Sequence, residues 1–232
     1  HAQCLLKAGM YQEAQKVAQQ IDHPDYAEKI LQLQVHIQYE LEEMAHAKSL
    51  ISHMPQDSAE AIVAQGCILY KEEKYEDAKA KFQEALNITG YQCDIAYNIA
   101  LCYYKLKQLA PSLKHIADII EKGVREHPEL GVGSNSEGVE VKSVGNTQTL
   151  KETALIEAFN LKAAIEYSMK NPAAAREALM DMPPRNEDEL DPVTLHNTAL
   201  MNIEQDPTTG FKKLNFLLQN PPFPTETFPN LI

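Results

Sequence analysis

The chain has 232 residues, of which 33 are acidic and 21 basic, giving a formal net charge of −12, and it holds no tryptophan. That balance argues against nucleic-acid binding, which needs clustered lysine and arginine. No apolar run approaches membrane-span length and no secretory signal pattern is visible, so no membrane contact is expected. Alanine, leucine, glutamate, lysine and glutamine are abundant, and no long stretch alternates with a two-residue period. The expected fold class is therefore all-α.

Taken in order, the first helical signal is Tyr11, Ala14, Ala18 and Ile21, which has the spacing of the second helix of a hairpin. The chain opens on His1, partway through that hairpin, and is expected to be a slice of something longer. Ala47, Ile51 and Met54 repeat the second-helix spacing. From Ala59 to Gly90 a complete unit appears: Gly66 in a first helix, then Tyr75, Ala78, Phe82 and Ala85 in a second. Gly66 and Ala78 allow close approach of two antiparallel helices, while Tyr75 and Phe82 fill the space beside them. Thirty-four residues beyond Gly66 and Ala78 stand Ala100 and Ser112, again small. Phe159, Ala163, Ala175, Leu179 and Met182 carry the pattern further, and Ala199, Phe211 and Leu214 form a degenerate last unit.

Helix ends are punctuated. Asp57 followed by Glu60 has the form of a capping box, and Asn171-Pro172, Asp191-Pro192 and Asp206-Pro207 each pair an N-cap residue with proline at the first helical position. Pro24, Pro55, Pro128 and Pro183-Pro184 fall between hairpins, and the Glu187-Asp188-Glu189 run reads as a solvated connector. Residues 129–150, with Gly131, Gly133, Gly138 and Gly145, interrupt the rhythm and read as a surface excursion before a helix beginning near Lys151. The proline-rich stretch 220–229 reads as an extended connector.

This order of small and large residues resembles the tetratricopeptide repeat, whose period is about 34 residues. It predicts a right-handed α-solenoid of helix–turn–helix repeats with the first helices lining a concave face. The expected organisation is repeats over 1–128 (the first partial), an inter-repeat loop over 129–150, further repeats over 151–219 and a connector over 220–232. The predicted structural core is Gly66, Tyr75, Ala78, Phe82, Ala85, Ala100, Tyr103, Ser112, Ala163 and Ala175.

Catalytic patterns are weak. Cys4, Cys67, Cys93 and Cys102 show no paired spacing and read as reduced thiols on helices. His46 and His53 lack the i, i+4 spacing of a metal-binding pair. The stretch Gly131-Val132-Gly133-Ser134-Asn135-Ser136 lacks the third glycine, the preceding strand and the lysine of a nucleotide site, so a flexible linker is expected there. No catalytic residue, cofactor or metal is expected, and the chain is read as a non-enzyme.

A tyrosine series stands out instead. Tyr39, Tyr70, Tyr104 and Tyr167 each precede the second small residue of their repeat (Ala47, Ala78, Ser112 and Ala175) by eight positions. Equal repeat positions share a solenoid face, here the concave one, where aromatic rings with hydroxyl tips suit a proline-rich peptide. The alternative is that these rings pack between repeats as core, and the two readings stand side by side. Tyr97, at an earlier inner position of its helix, joins the candidate peptide-binding set.

More specific strings follow. Tyr97-Asn98-Ile99-Ala100-Leu101-Cys102-Tyr103-Tyr104, Lys114-His115-Ile116, Glu126-His127-Pro128-Glu129-Leu130-Gly131, Asp191-Pro192-Val193-Thr194-Leu195-His196-Asn197 and Gly210-Phe211-Lys212-Lys213-Leu214 resemble the tetratricopeptide subunit of intraflagellar transport complex B, the fleer-type ciliary family. The resemblance implies a non-enzymatic scaffold of the complex B core, located in the cilium and at its base on the cytoplasmic side. It also implies a superhelix wrapped around a proline-rich segment of another core subunit. Other intraflagellar transport subunits and, indirectly, kinesin-driven trains are the implied partners. Anterograde transport, cilium assembly and, indirectly, tubulin polyglutamylation are the implied roles. One alternative is a chaperone-type adaptor that clamps peptide termini, but the clamp positions here hold Gln32, Val63, Tyr97, His36, Cys67 and Leu101. A nucleotide-binding enzyme built on the glycine-rich loop is the further alternative.

Overall fold

The computed structural model describes residues 1–21, 23–134, 142–203, 205–220 and 223–231. It forms two compact units, His1–Leu106 and Lys107–Ile232. Among the described residues every regular element is helical.

The first unit contains α1 (Ala2–Lys7), α2 (Tyr11–Gln19), α3 (Ala27–Glu40), α4 (Met44–Ile51), α5 (Ala59–Lys71), α6 (Tyr75–Thr89) and α7 (Cys93–Lys105). Its core is a series of apolar clusters, each joining one hairpin to the first helix of the next. Leu6, Ala14, Ala18 and Ile37 join α1 and α2 to α3. Val35, Ala47, Ile51, Met54, Ala61 and Ile68 join α3 and α4 to α5. Ile62, Ala78, Phe82, Ala85, Ile99 and Cys102 join α5 and α6 to α7. A hairpin has no core of its own, so neighbouring hairpins stabilise one another by burying a shared face. The tightest glycine contact in this unit is at Gly66, where a Cβ would lie 2.7 Å from Cε1 of the buried Phe82 ring.

The turns inside the hairpins share one backbone solution. Gly9, Glu42 and Glu73 all adopt positive φ, at 74°, 60° and 62°. Each is followed by a residue whose amide reaches back to the helix: Met10 to the Leu5 carbonyl, Glu43 to Gln38 and Lys74 to Leu69. The positive-φ amides donate to Leu6, Tyr39 and Tyr70. This pair of bonds is the Schellman closure, which satisfies the last carbonyls of the first helix. Glutamate occupies a left-handed position at a cost that glycine avoids. Glu73→Gly is therefore expected to stabilise the chain by about 0.5–1 kcal/mol, seen as a higher urea midpoint; an unchanged or lower midpoint would refute this.

The second unit contains α8 (Leu109–Glu126), α9 (Gln148–Glu152), α10 (Leu155–Ser168), α11 (Pro172–Met180), α12 (Pro192–Ile203) and α13 (Pro207–Gln219). Lys107 and Lys170 take the same positive φ, both 61°, and Lys170 and Asn171 close α10 on Tyr167 and Glu166. Leu130, Leu150, Leu155, Phe159, Ala178 and Met182 form its main cluster. Ala199, Leu214 and Leu217 form another between α12 and α13.

Several boundaries differ from those read in the sequence. The cap of α5 is Ser58, whose hydroxyl accepts from the Ala61 amide, and not Asp57, because Ser58 has the extended backbone a cap requires. The helix expected near Lys151 starts at Gln148 and breaks at Ala154, where φ is +53°, before α10 begins. Ile21 is exposed. In the last hairpin the close approach is made by Gly210, whose Cβ would lie 2.5 Å from Ile203, while neighbouring Phe211 faces outward. The stretch read as an extended connector forms tight turns at Thr225–Thr227 and Pro229–Leu231. These fold back so that Leu231 packs on the α12–α13 cluster and Asn230 meets His196. Asn171 and Asp206 do cap α11 and α13 ahead of their prolines, and Asp191 accepts from the Thr194 amide in the same way.

The flanks of the interrupting loop are integral to this unit. Leu130 and Leu150 are buried in the main cluster with Val132 and Val144 against it. Gly133 donates to the Asp181 carbonyl, Val144 to Pro184, and Asn146 to Glu189. The Gly138 part of the stretch, with Asn135 and Ser136, lies outside the described residues. The amides of Gly133 and Ser134 already donate to Asp181 and Gly131.

Candidate functional site

On a first helix, positions i, i+4 and i+7 share a face. In α3 that stripe is Gln32, His36 and Tyr39; in α5 it is Val63, Cys67 and Tyr70; in α7 it is Tyr97, Leu101 and Tyr104. Packing α3, α5 and α7 side by side leaves a cavity of about 560 Å³ along this face, lined by Gln32, His36, Tyr39, Val63, Cys67 and Asp94 among others. A second cavity of about 980 Å³ continues past α3 to α1, with Lys7, Tyr11 and Lys29 on its walls. Gln32 and His36 line both, so the two cavities adjoin at α3 within the first unit and are taken together as its groove.

The tyrosines take different places around it. Tyr39 lines the groove and packs on the Val35–Ala47 cluster, with Lys71 Nζ 5.3 Å from its ring centre. Burial, then the nearby Cys67 and Glu40, push its hydroxyl up to about 12, so it stays a neutral donor. Tyr70 meets Tyr75 edge to face at 5.2 Å, pinning the end of α5 to the start of α6. Burial raises its hydroxyl first, and neighbouring Tyr75, Cys102, Tyr97 and Tyr39 add to the shift. These phenols therefore lie near one another around the end of α5. Tyr97 and Tyr104 are half-buried on α7. Tyr103 packs beside the Phe82 cluster with Lys79 Nζ 4.6 Å over its ring. Tyr167 lies in the second unit and is 44% exposed.

The four cysteines are free. Burial, reinforced by Asp94, raises the Cys67 thiol to about 11, and burial raises Cys102 to about 12. Only the thiolate is nucleophilic. In the native chain at pH 7.5, iodoacetamide is therefore expected to label exposed Cys4 while Cys67 and Cys102 stay unlabelled until denaturant is added, as read by peptide mass spectrometry. Fast native labelling of Cys67 would contradict the burial argument.

In α10 the stripe that ends at Tyr167 begins at Asn160, and here the geometry is closed. Asn160 is 5% exposed; its amide donates to the Ile156 carbonyl at 3.0 Å and to Thr194 Oγ1 at 2.8 Å, and its oxygen accepts from Asn197 at 2.8 Å. Thr194 Oγ1 donates to Asp191, which pairs with Arg185 at 3.0 Å. The Arg185 side chain is 3% exposed, and its Nε finds no partner among the described residues. Burial pushes the Asp191 carboxyl up, but hydrogen bonds from Thr194 and Arg185 outweigh it and hold the carboxyl below its usual 3.8.

Sequence reasoning used Gln32, His36, Val63 and Cys67 only to set aside a cationic clamp, and did not mark them as lining residues. Their signal was present: each lies three or seven positions before a tyrosine of the series. Ala100, Ser112, Ala163 and Ala175 are all buried, as are Gly66, Ala78, Phe82 and Ala85, while Tyr75 is half-buried. Among the described residues no group of histidine, cysteine or carboxylate side chains could hold a metal, and no helix is long and apolar enough to cross a membrane.

Stacked helical hairpins whose first helices line an open, mixed apolar and polar groove define a helical-repeat protein of the tetratricopeptide type. No protein-family model matches the chain. Over its full length the chain is 61% identical to Intraflagellar transport protein 70A of Xenopus tropicalis, 57% identical to that of Danio rerio and 56% identical to Intraflagellar transport protein 70B of Rattus norvegicus. It spans 36% of the length of each. Over its whole length the chain is thus similar to a part of these intraflagellar transport protein 70 relatives.

Proposed function

We propose that the chain is a non-enzymatic scaffold of the intraflagellar transport complex B core, working in the cilium and at its base on the cytoplasmic side. In this reading its groove holds a proline-rich segment of another core subunit. Through that contact it supports anterograde transport, cilium assembly and, indirectly, tubulin polyglutamylation. The observation that carries the reading is the pair of cavities that adjoin at Gln32 and His36 of α3, one reaching α1 and the other α5 and the start of α7. Its Val35, Val63 and Ile95 walls suit proline rings, and its Gln32, Tyr39 and Gln92 tips suit the unpaired carbonyls of an extended chain. The names of the relatives supply the setting.

A plug in the groove tests it. His36 is exposed and lies on both parts of the groove, so His36→Trp fills the channel without entering the core. Wild-type chain is expected to recover intraflagellar transport subunits from ciliated-cell extract, identified by mass spectrometry. The variant should recover about tenfold less, the scale of one lost interface anchor, with its circular dichroism unchanged. Equal recovery by both would remove the groove from the function, and recovery of chaperones in place of transport subunits would favour the clamp alternative.

A further inference from the structure

The groove is electrically lopsided. On its α1–α3 side stand Lys7 and Lys29, and on its α5–α7 side stand Glu60 and Asp94. All four are exposed, and none forms an ion pair among the described residues. Five other lysines in this unit, Lys48, Lys71, Lys74, Lys79 and Lys81, each meet a glutamate. The remaining groove carboxylate, Glu40, is engaged by the Tyr11 hydroxyl and lies 3.5 Å from His36. Asp94 lies close enough to Cys67 to act on its thiol, which puts the carboxylate at the groove wall. Glu60 and Asp94 also stand in the first turns of α5 and α7, where the helix dipole favours them and holds them in place.

Resting on the peptide-groove reading above, we propose that the groove selects an extended segment of opposite charge polarity. The segment is acidic where it crosses α1 and α3, apolar along α5, and basic where it reaches the start of α7. Exposed complementary charges act mainly on register and partner choice, and a reversed segment would set like charges against each other at both ends.

The test uses the full 232-residue chain and synthetic peptides sharing one proline, leucine and valine core. One peptide is neutral, two carry paired aspartates at one end and paired lysines at the other in the two chain directions, and one carries aspartates at both ends. The better dipolar peptide is expected to bind about tenfold tighter than the neutral one at low salt, and the advantage should collapse near 0.5 M salt, roughly where screening becomes complete. In Lys7→Glu/Lys29→Glu the ratio of dipolar to neutral affinity should fall to one or below, and Glu60→Gln/Asp94→Asn should reduce it part of the way. Binding of all peptides with equal affinity would overturn the polarity and leave the groove reading standing. If none binds while the helix content is intact, the groove reading fails and the polarity fails with it.

Discussion

Phe82→Ala is expected to destabilise the first unit by about 3–5 kcal/mol, the range for removing a fully buried aromatic ring. The ring is 1% exposed and sits in the cluster that joins α5, α6 and α7, so the cavity opens where three helices meet. The ring lies against Gly66 and leaves no room there for a Cβ. Gly66→Ala is therefore expected to cost about 1–3 kcal/mol through overpacking, despite a gain of about 1 kcal/mol in helix propensity. Because the two residues share one space, Gly66→Ala combined with Phe82→Leu should cost clearly less than the two single changes added together. Urea midpoints of the four proteins check this. Additive losses would mean that the close approach at Gly66 is not what limits this position.

The second large effect concerns Arg185 and Asp191. Asp191→Asn leaves a nearly buried guanidinium without its counter-ion, a change that costs about 3–5 kcal/mol for a fully buried pair. Asp191 is a third exposed, so solvent screening brings the expectation down to about 2 kcal/mol. Acid should act through the same carboxylate. Its folded pKa lies below the ordinary aspartate value, so its stabilising contribution is complete above that value. The contribution is lost as pH falls through 3.8 toward the folded value. The melting temperature of wild type should fall over that window, and that of Asp191→Asn should fall less steeply. Parallel pH profiles for the two proteins would show that the carboxylate does not carry the acid sensitivity.

How legible the molecule is in its sequence depends on how local the cause is. The small–large offsets around Gly66, Ala78, Phe82 and Ala85 are short-range features of a close-packed hairpin, and all four are buried as expected. The caps at Asn171 and Asp206 are equally local, since a side chain needs only its own next turn to satisfy an amide. The hairpin turns were harder to read. Glu42, Glu73, Lys107 and Lys170 stand where glycine would have announced a left-handed residue, so composition concealed a recurring backbone geometry. At Phe211 the period was followed by one residue too many, because Gly210 signals a loop as readily as a close helix contact.

Residues 129–150 show the other limit. Glycine and serine there predict a surface excursion, yet Leu130, Val132, Val144 and Leu150 tie its flanks into the core of the second unit. Those contacts are made to Phe159, Ala178 and Met182, which no local pattern connects to the loop.

By itself the sequence determined the helices, their hairpin pairing, the small residues at the crossings and the stripe that each first helix presents. All of these follow from periodicity within a few turns. Only the tertiary structure shows which tyrosines line the cavities, Tyr39 and Tyr11 among them. Tyr39 and Tyr70 occupy equal positions, but Tyr70 meets the Tyr75 ring, whereas Tyr39 lies beside Lys71 and lines a cavity. It also decided that charges of opposite sign, Lys7 and Asp94, line two cavities that adjoin at α3, which exist only when α1, α3, α5 and α7 stack. Helical periodicity is a property of one segment, whereas an interaction surface is a property of the neighbours that packing brings to it.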